Sequence, residues 1–197
     1  MQAGLAKQLD RQIIGAVSAW FKRRPDAMAV TGKCAINLAS ATLSDPEFVE
    51  FVCQLARGSG LSPSRFCFEI TESNAIEDVE QSRTIVQALR GEGFRVSMDD
   101  FGTGFTTYSY LKPYEVDEIK IDGTFVTALG ENEIDIEIVQ SIVRLAKMLN
   151  VKTVAEFVTT EALRTQLQSL GVDYVQGYAI GMPQPIAMMF PGLMAVP

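Results

Sequence analysis

The chain of 197 residues is 47% apolar and 21% charged, a balance that buries a core and is unlike a disordered segment. Its formal net charge of -7 argues against nonspecific binding of a nucleic acid polymer through a basic surface, although bound cations can bring a single phosphodiester to an acidic protein. The sequence contains no histidine, which removes zinc-type histidine sites, Ser-His-Asp hydrolases and phosphohistidine chemistry together and leaves a hard cation on oxygen ligands as the metal to expect.

A first amphipathic helix is expected over Leu5–Phe21, with Leu9, Ile13, Ile14, Val17 and Trp20 at helical spacing. Strand-like runs and helical patterns then alternate. A strand at Cys34–Leu38 leads to a helix over Pro46–Gly58, and one at Phe66–Ile70 to a helix over Val79–Arg90 that Gly91 and Gly93 end. A third strand, Arg95–Met98, runs into Asp99, Asp100 and a glycine-bearing loop, followed by a short helical signal near Tyr108–Leu111. Further strands are expected at Glu118–Ile121, Lys152–Ala155 and Tyr174–Gln176, with helices over Ile134–Leu149 and Glu161–Leu170 between them. No apolar run is long enough to cross a membrane and no signal peptide opens the chain. Cys34, Cys53 and Cys67 make no C-x-x-C pair, which fits buried, reduced thiols in a cytoplasmic domain.

Such alternation means parallel strands joined by crossovers, in either an open sheet or a barrel. Polar residues at the strand ends favour the barrel. Asn37, Glu69, Asp99, Lys120, Glu156 and Gln176 each fall at or near the C-terminal end of a strand, and a barrel brings all such ends to one mouth. Six strands do not close an eight-stranded barrel, so the fold expected is an incomplete (β/α)8 TIM-like barrel. The remaining strands, about two, would lie before residue 1 or come from elsewhere.

Each of these residues has a chemical and a structural reading. Asp99 and Asp100 repel one another unless cations are near; the alternative is a solvated turn, with glycines at 102 and 104 freeing the loop. Glu69, between Phe68 and Ile70, is either a buried, metal-bound carboxylate or a solvated rim residue. Glu72 is expected in the following loop, exposed or capping a helix, or as a ligand. Asn37 can lend a neutral oxygen to a metal shell or cap a turn. Lys120 can neutralise a phosphate or orient a water, or it can make a structural ion pair with Asp122 or Glu118. Glu156 suits a general base or a second metal ligand, and Gln176 a substrate donor or a plain loop amide.

Phe-Glu-Ile-Thr-Glu-Ser (68–73), Asp-Asp-Phe-Gly-Thr-Gly (99–104), Ile-Lys-Ile-Asp (119–122), Val-Ala-Glu (154–156) and Gln-Gly-Tyr (176–178), with Leu-Asp-Arg (9–11) and Ile-Asn-Leu (36–38) before them, resemble EAL domains in content and order. The resemblance covers essentially the whole of residues 1–197 and implies one EAL-type phosphodiesterase domain, truncated before its Glu-Ala-Leu signature. It implies signal-transduction chemistry: metal-dependent hydrolysis of cyclic di-GMP to the linear dinucleotide pGpG with Mg²⁺ or Mn²⁺. By the same resemblance Asn37, Glu69 and Asp99 are metal ligands and Asp100 goes with a second ion. Lys120 and Glu156 handle the attacking water, Gln176 belongs to the substrate site, and Glu72 steadies the loop after Asp100. That loop also implies a homodimer, and an upstream regulatory domain, with or without a membrane anchor, fits a longer parent protein. The chain departs from the pattern at Thr159, where a second glutamate is usual, and at Phe157, where glycine is common. The Thr159 departure keeps open a second reading, a catalytically weak receptor for cyclic di-GMP. An unrelated aldolase-type barrel has the right shape but no matching motifs.

Overall fold

The computed structural model describes residues 2–103, 114–130 and 132–190. Gly104 and the helical signal expected near Tyr108–Leu111 lie outside the described residues. The described chain forms two compact units: one takes in residues up to 69, 80–95 and from 183 onward, and the other residues 70–79 and 96–182.

In the first unit, α1 (Gln2–Arg23) and α2 (Pro25–Val30) precede β1 (Cys34–Asn37), and α3 (Ser40–Leu43) and α4 (Phe48–Ser59) lead to β2 (Phe66–Thr71). β1 and β2 are parallel, with Cys34 opposite Phe66 and Asn37 opposite Glu69. The core is aromatic. Phe68 makes an edge contact with Phe48 at 5.6 Å and packs on Phe94 at 5.5 Å, and all three side chains are buried.

The helix α1 differs from its expected apolar face. Leu9 and Ile13 are exposed, and the buried stripe runs Asp10, Ile14, Ser18, Phe21 at helical spacing. Asp10 is inside because its carboxylate accepts hydrogen bonds from the Ala39 amide (2.9 Å) and the Thr42 hydroxyl (2.6 Å) at the start of α3. Of the residues expected on this face, Ile14 is buried and Val17 and Trp20 pack against the Phe21, Ala27 and Met28 cluster, whereas Leu9 and Ile13 face outward. Arg11 beside Asp10 pairs with Asp45 at 2.9 Å and lies over the Phe51 ring.

The second unit takes in the end of β2 from Ile70 and the short helix α5 (Glu72–Glu77), capped by Thr71, and α6 (Val79–Gly91) belongs to the first unit from Glu80. The second unit continues with β3 (Arg95–Phe101), β4 (Glu118–Ile121), α7 (Gly123–Thr127), α8 (Glu133–Leu149), β5 (Lys152–Ala155), α9 (Glu161–Leu170) and β6 (Tyr174–Val175). β3 to β6 pair in sequence order, all parallel. Such strands are covered on both faces, so β4 buries Ile119 and Ile121 on one side and Glu118 and Lys120 on the other. The expected strands and long helices are present within a few residues of their ends. The short helices α2, α3, α5 and α7 were not foreseen, because a turn or two of helix carries no periodic signal. Among the described residues no helix is long and apolar enough to cross a membrane. Cys53 and Cys67 are buried and Cys34 is half-buried, with its thiol pushed up by burial and by the Glu69 carboxylate.

The strand starts are tied by aspartates. Asp117 accepts the Val96 amide at 2.9 Å, and Asp173 accepts the Thr153 amide and hydroxyl at 3.0 Å and pairs with Lys152 at 2.6 Å. Partial burial pushes the Asp173 carboxyl up, but the bonds from Lys152 and Thr153 outweigh it and hold the group below the usual carboxylate range. A depressed acid contributes stability that is present above its unfolded value of about 4 and is lost as pH falls through the lower folded value. Asp173→Asn is expected to cost about 1 kcal/mol at pH 7, with the difference from wild type shrinking toward pH 3. Urea unfolding at the two pH values checks both parts.

Candidate active site

The strand ends of the second unit bring together four of the residues singled out by sequence. Lys120 projects from β4 and is 4% exposed. Its Nζ lies 3.0 Å from Asp99 Oδ1 of β3 and 2.8 Å from Glu156 Oε1, just past β5. The register explains the meeting: Lys120 sits opposite Val154, so residues two apart on neighbouring strands share one face. Two carboxylates around a buried ammonium satisfy a charge that would otherwise be very unfavourable inside the protein.

Asp100 joins the group through an irregularity. In a regular pleat Asp99 and Asp100 would point to opposite faces. Between Met98, opposite Ile119, and Phe101, opposite Ile121, β3 holds one residue too many, a β-bulge. Asp100 sits in it with φ of 54°, in the left-handed region, and its amide donates to Asp99 Oδ1 at 3.1 Å. Both carboxylates thus turn the same way. One oxygen each from Asp99, Asp100 and Glu156 fall within 4.8 Å of one another. The expectation that β3 ends at Met98, with the aspartates after it, is corrected: both belong to the strand, and the bulge does the work assigned to a turn.

Burial and the neighbouring Asp99 and Asp122 carboxylates push the Asp100 carboxyl above its ordinary value, against the pull of Lys120. Three carboxylates facing one ammonium leave a formal excess of negative charge, and all the donors are oxygens. This donor set fits a hard divalent cation, which oxygens of Asp99 and Asp100, with Glu156 beside them, could hold.

Glu72 is not in a loop. It opens α5, is 5% exposed, and its Oε2 accepts the Gly102 amide at 3.0 Å. This bond holds the chain just after Phe101, where Gly102 takes φ of 103°. In the first unit, Glu69 is buried within β2 and Asn37 is exposed at the end of β1, directly opposite it. Gln176 lies one residue past β6 and is exposed; its backbone amide bonds to the Ala155 carbonyl at 2.8 Å. Thr159 is exposed and precedes Thr160, which caps α9. Glu118, treated above only as a partner for Lys120, is itself a buried carboxylate on the same face. The period-two pattern Glu-Ile-Lys-Ile already carried that signal.

Comparison with known proteins identifies the family. The family model described as the EAL domain matches residues 1–183. Cyclic di-GMP phosphodiesterase PdeB of Shewanella oneidensis is 36% identical over 184 residues, covering 93% of this chain and 21% of PdeB. Among solved structures, the chain resembles the PaMucR phosphodiesterase in complex with c-di-GMP with a TM-score of 0.88 at 33% identity, covering 95% of this chain and 76% of the other. It also resembles BlrP1 of Klebsiella pneumoniae in a manganese and cyclic di-GMP complex, with a TM-score of 0.78 at 29% identity over 88% of this chain and 44% of BlrP1. The chain spans about a fifth of the length of the curated relative it matches. The fold is that of an incomplete TIM-like barrel with six strands present, and the chain belongs to the EAL domain family.

Proposed function

We propose that this chain carries the catalytic machinery of a cyclic di-GMP phosphodiesterase that releases linear pGpG and uses Mg²⁺ or Mn²⁺. The observation that carries the reading is the convergence of Asp99, Asp100 and Glu156 around Lys120 at adjacent strand ends. The names of the relatives, and the manganese and cyclic di-GMP in the BlrP1 structure, support the choice of substrate and ion.

In this reading Asn37, Glu69 and Asp99 would be ligands of one ion, and Asp100 would go with a second. The chemistry supplied by a divalent ion held there is Lewis acidity, which lowers the pKa of water and offsets charge on the diester oxygens. Lys120 donates to Asp99 and Glu156, fixing both carboxylates, and directs its positive charge at the phosphoryl oxygens. Glu156 takes the proton of the attacking water. Gln176 donates to the substrate, and Glu72 keeps the chain after Asp100 in place through the Gly102 amide. We place dimerisation in the loop after Asp100, most of which lies outside the described residues. An upstream regulatory domain in a longer parent protein is in keeping with the greater length of the relatives.

Incubation of the full-length parent protein with cyclic di-GMP and Mg²⁺ or Mn²⁺ is expected to give pGpG by chromatography, and Glu156→Gln to lower kcat by at least about 100-fold. Tight binding without turnover would favour the receptor reading, with Thr159→Glu the first variant to test for restored activity. Absence of both would remove cyclic di-GMP as the ligand. Lys120→Met leaves Asp99 and Glu156 facing each other without the ammonium. It is expected to lose about 3 kcal/mol of stability in chelator, measured by chemical denaturation, as well as turnover.

A further inference from the structure

The residue after Glu156 is an anomaly that the mechanism does not use. Phe157 has φ of 54°, a left-handed backbone that bulky side chains rarely hold, and its side chain is 63% exposed. The backbone on either side is clamped. The Glu156 amide bonds to the Ile121 carbonyl at 3.3 Å, and the Val158 amide to the Gln176 carbonyl at 3.0 Å. The Val158 carbonyl accepts the Ala179 amide at 3.0 Å, and the Val158 side chain is fully buried. With Glu156 turned in and Val158 buried, the left-handed step throws the Phe157 ring outward, beyond the ends of β4 and β5. There it lies against Gly123, where an added Cβ would come within 2.3 Å of the ring, so only glycine leaves it this seat. A strained backbone and an exposed aromatic ring are two unfavourable features on one residue, adjacent to a site carboxylate. Strain that the surroundings enforce at such a place points to function.

We propose that Phe157 is a substrate-contacting residue, an aromatic shelf on the rim of the carboxylate site against which a purine base of the bound dinucleotide stacks. The inference rests on the proposed function and adds to it a specificity element for the base, as distinct from the phosphodiester. A diester drawn to Lys120 and to the cation that the carboxylates would hold carries its nucleosides outward toward the rim. A flat base and a Phe ring remove apolar surface from water together, and stacking of this kind tolerates any base with a π-face.

The test uses the full-length parent protein with Mg²⁺ or Mn²⁺ and cyclic di-GMP. Phe157→Leu keeps an apolar side chain of similar bulk and the same backbone strain but has no ring. It is expected to raise KM about tenfold with kcat within about twofold, and Phe157→Tyr to restore KM. Phe157→Gly separates recognition from folding: relief of the left-handed strain is expected to keep or raise Tm while KM still rises. A Phe157→Trp variant is expected to show fluorescence quenching when cyclic di-GMP is added, beyond that of the wild-type protein with its single Trp20. Unchanged KM in Phe157→Leu alongside an active wild type overturns the shelf and leaves the enzyme intact. A Phe157→Gly protein that loses Tm but keeps KM assigns the ring to packing and also overturns it. A wild-type protein that neither binds nor hydrolyses cyclic di-GMP overturns the proposed function itself, and this inference with it.

Discussion

The ion pair of Lys120 with Asp99 and Glu156 is the interaction on which the second unit's architecture turns. An ammonium 4% exposed in the middle of a strand is tolerable only if opposite charge meets it at hydrogen-bond distance. That charge comes from the strands on either side, so the requirement acts across β3, β4 and β5 at once and fixes their relative register. A slip of one residue would turn Lys120 to the face occupied by Ile119 and Ile121 and leave two buried carboxylates facing each other. The arrangement gives the electrostatic centre of the site and the alignment of the sheet that carries it the same origin.

Around that centre the chain departs from regular geometry where chemistry is concentrated. The bulge in β3 and the left-handed backbone of Asp100 turn a second carboxylate toward the first, against their mutual repulsion. One residue past Glu156, Phe157 adopts the same backbone region. Neither residue is a glycine, so neither conformation is adopted by default. Each is imposed by well-satisfied neighbours: the β3–β4 ladder for Asp100, and the bonds of Glu156 and Val158 for Phe157. The first unit shows a related economy, with Asp10 buried on α1 to receive the amide and hydroxyl that begin α3, two residues beyond Asn37.

Much of this molecule was legible in the sequence. The order of elements followed from the alternation of period-two and longer-period apolar patterns, and the limits of β4 and β5 were readable to the residue because short, buried parallel strands end sharply at Gly, Pro or polar residues. The absence of histidine left oxygen ligands as the one metal chemistry to consider. Polar residues at strand ends identified Asp99, Lys120 and Glu156 as neighbours in a barrel-like fold, since parallel strands deliver their C-terminal ends to the same side. These are properties of local pattern, and local pattern is what a sequence encodes directly.

Only the tertiary structure decided the rest. That Lys120 meets Asp99 and Glu156 is a property of three strands paired together, which no single strand specifies. Asp100 turned toward Asp99 because one extra residue in β3 had to be absorbed against β4. Glu72 became a buried acceptor for the Gly102 amide across thirty residues of chain, and Asp10 displaced Leu9 from the buried face of α1. Periodicity ranks residues by their own hydrophobicity, whereas burial of a carboxylate depends on donors that arrive from elsewhere in the chain.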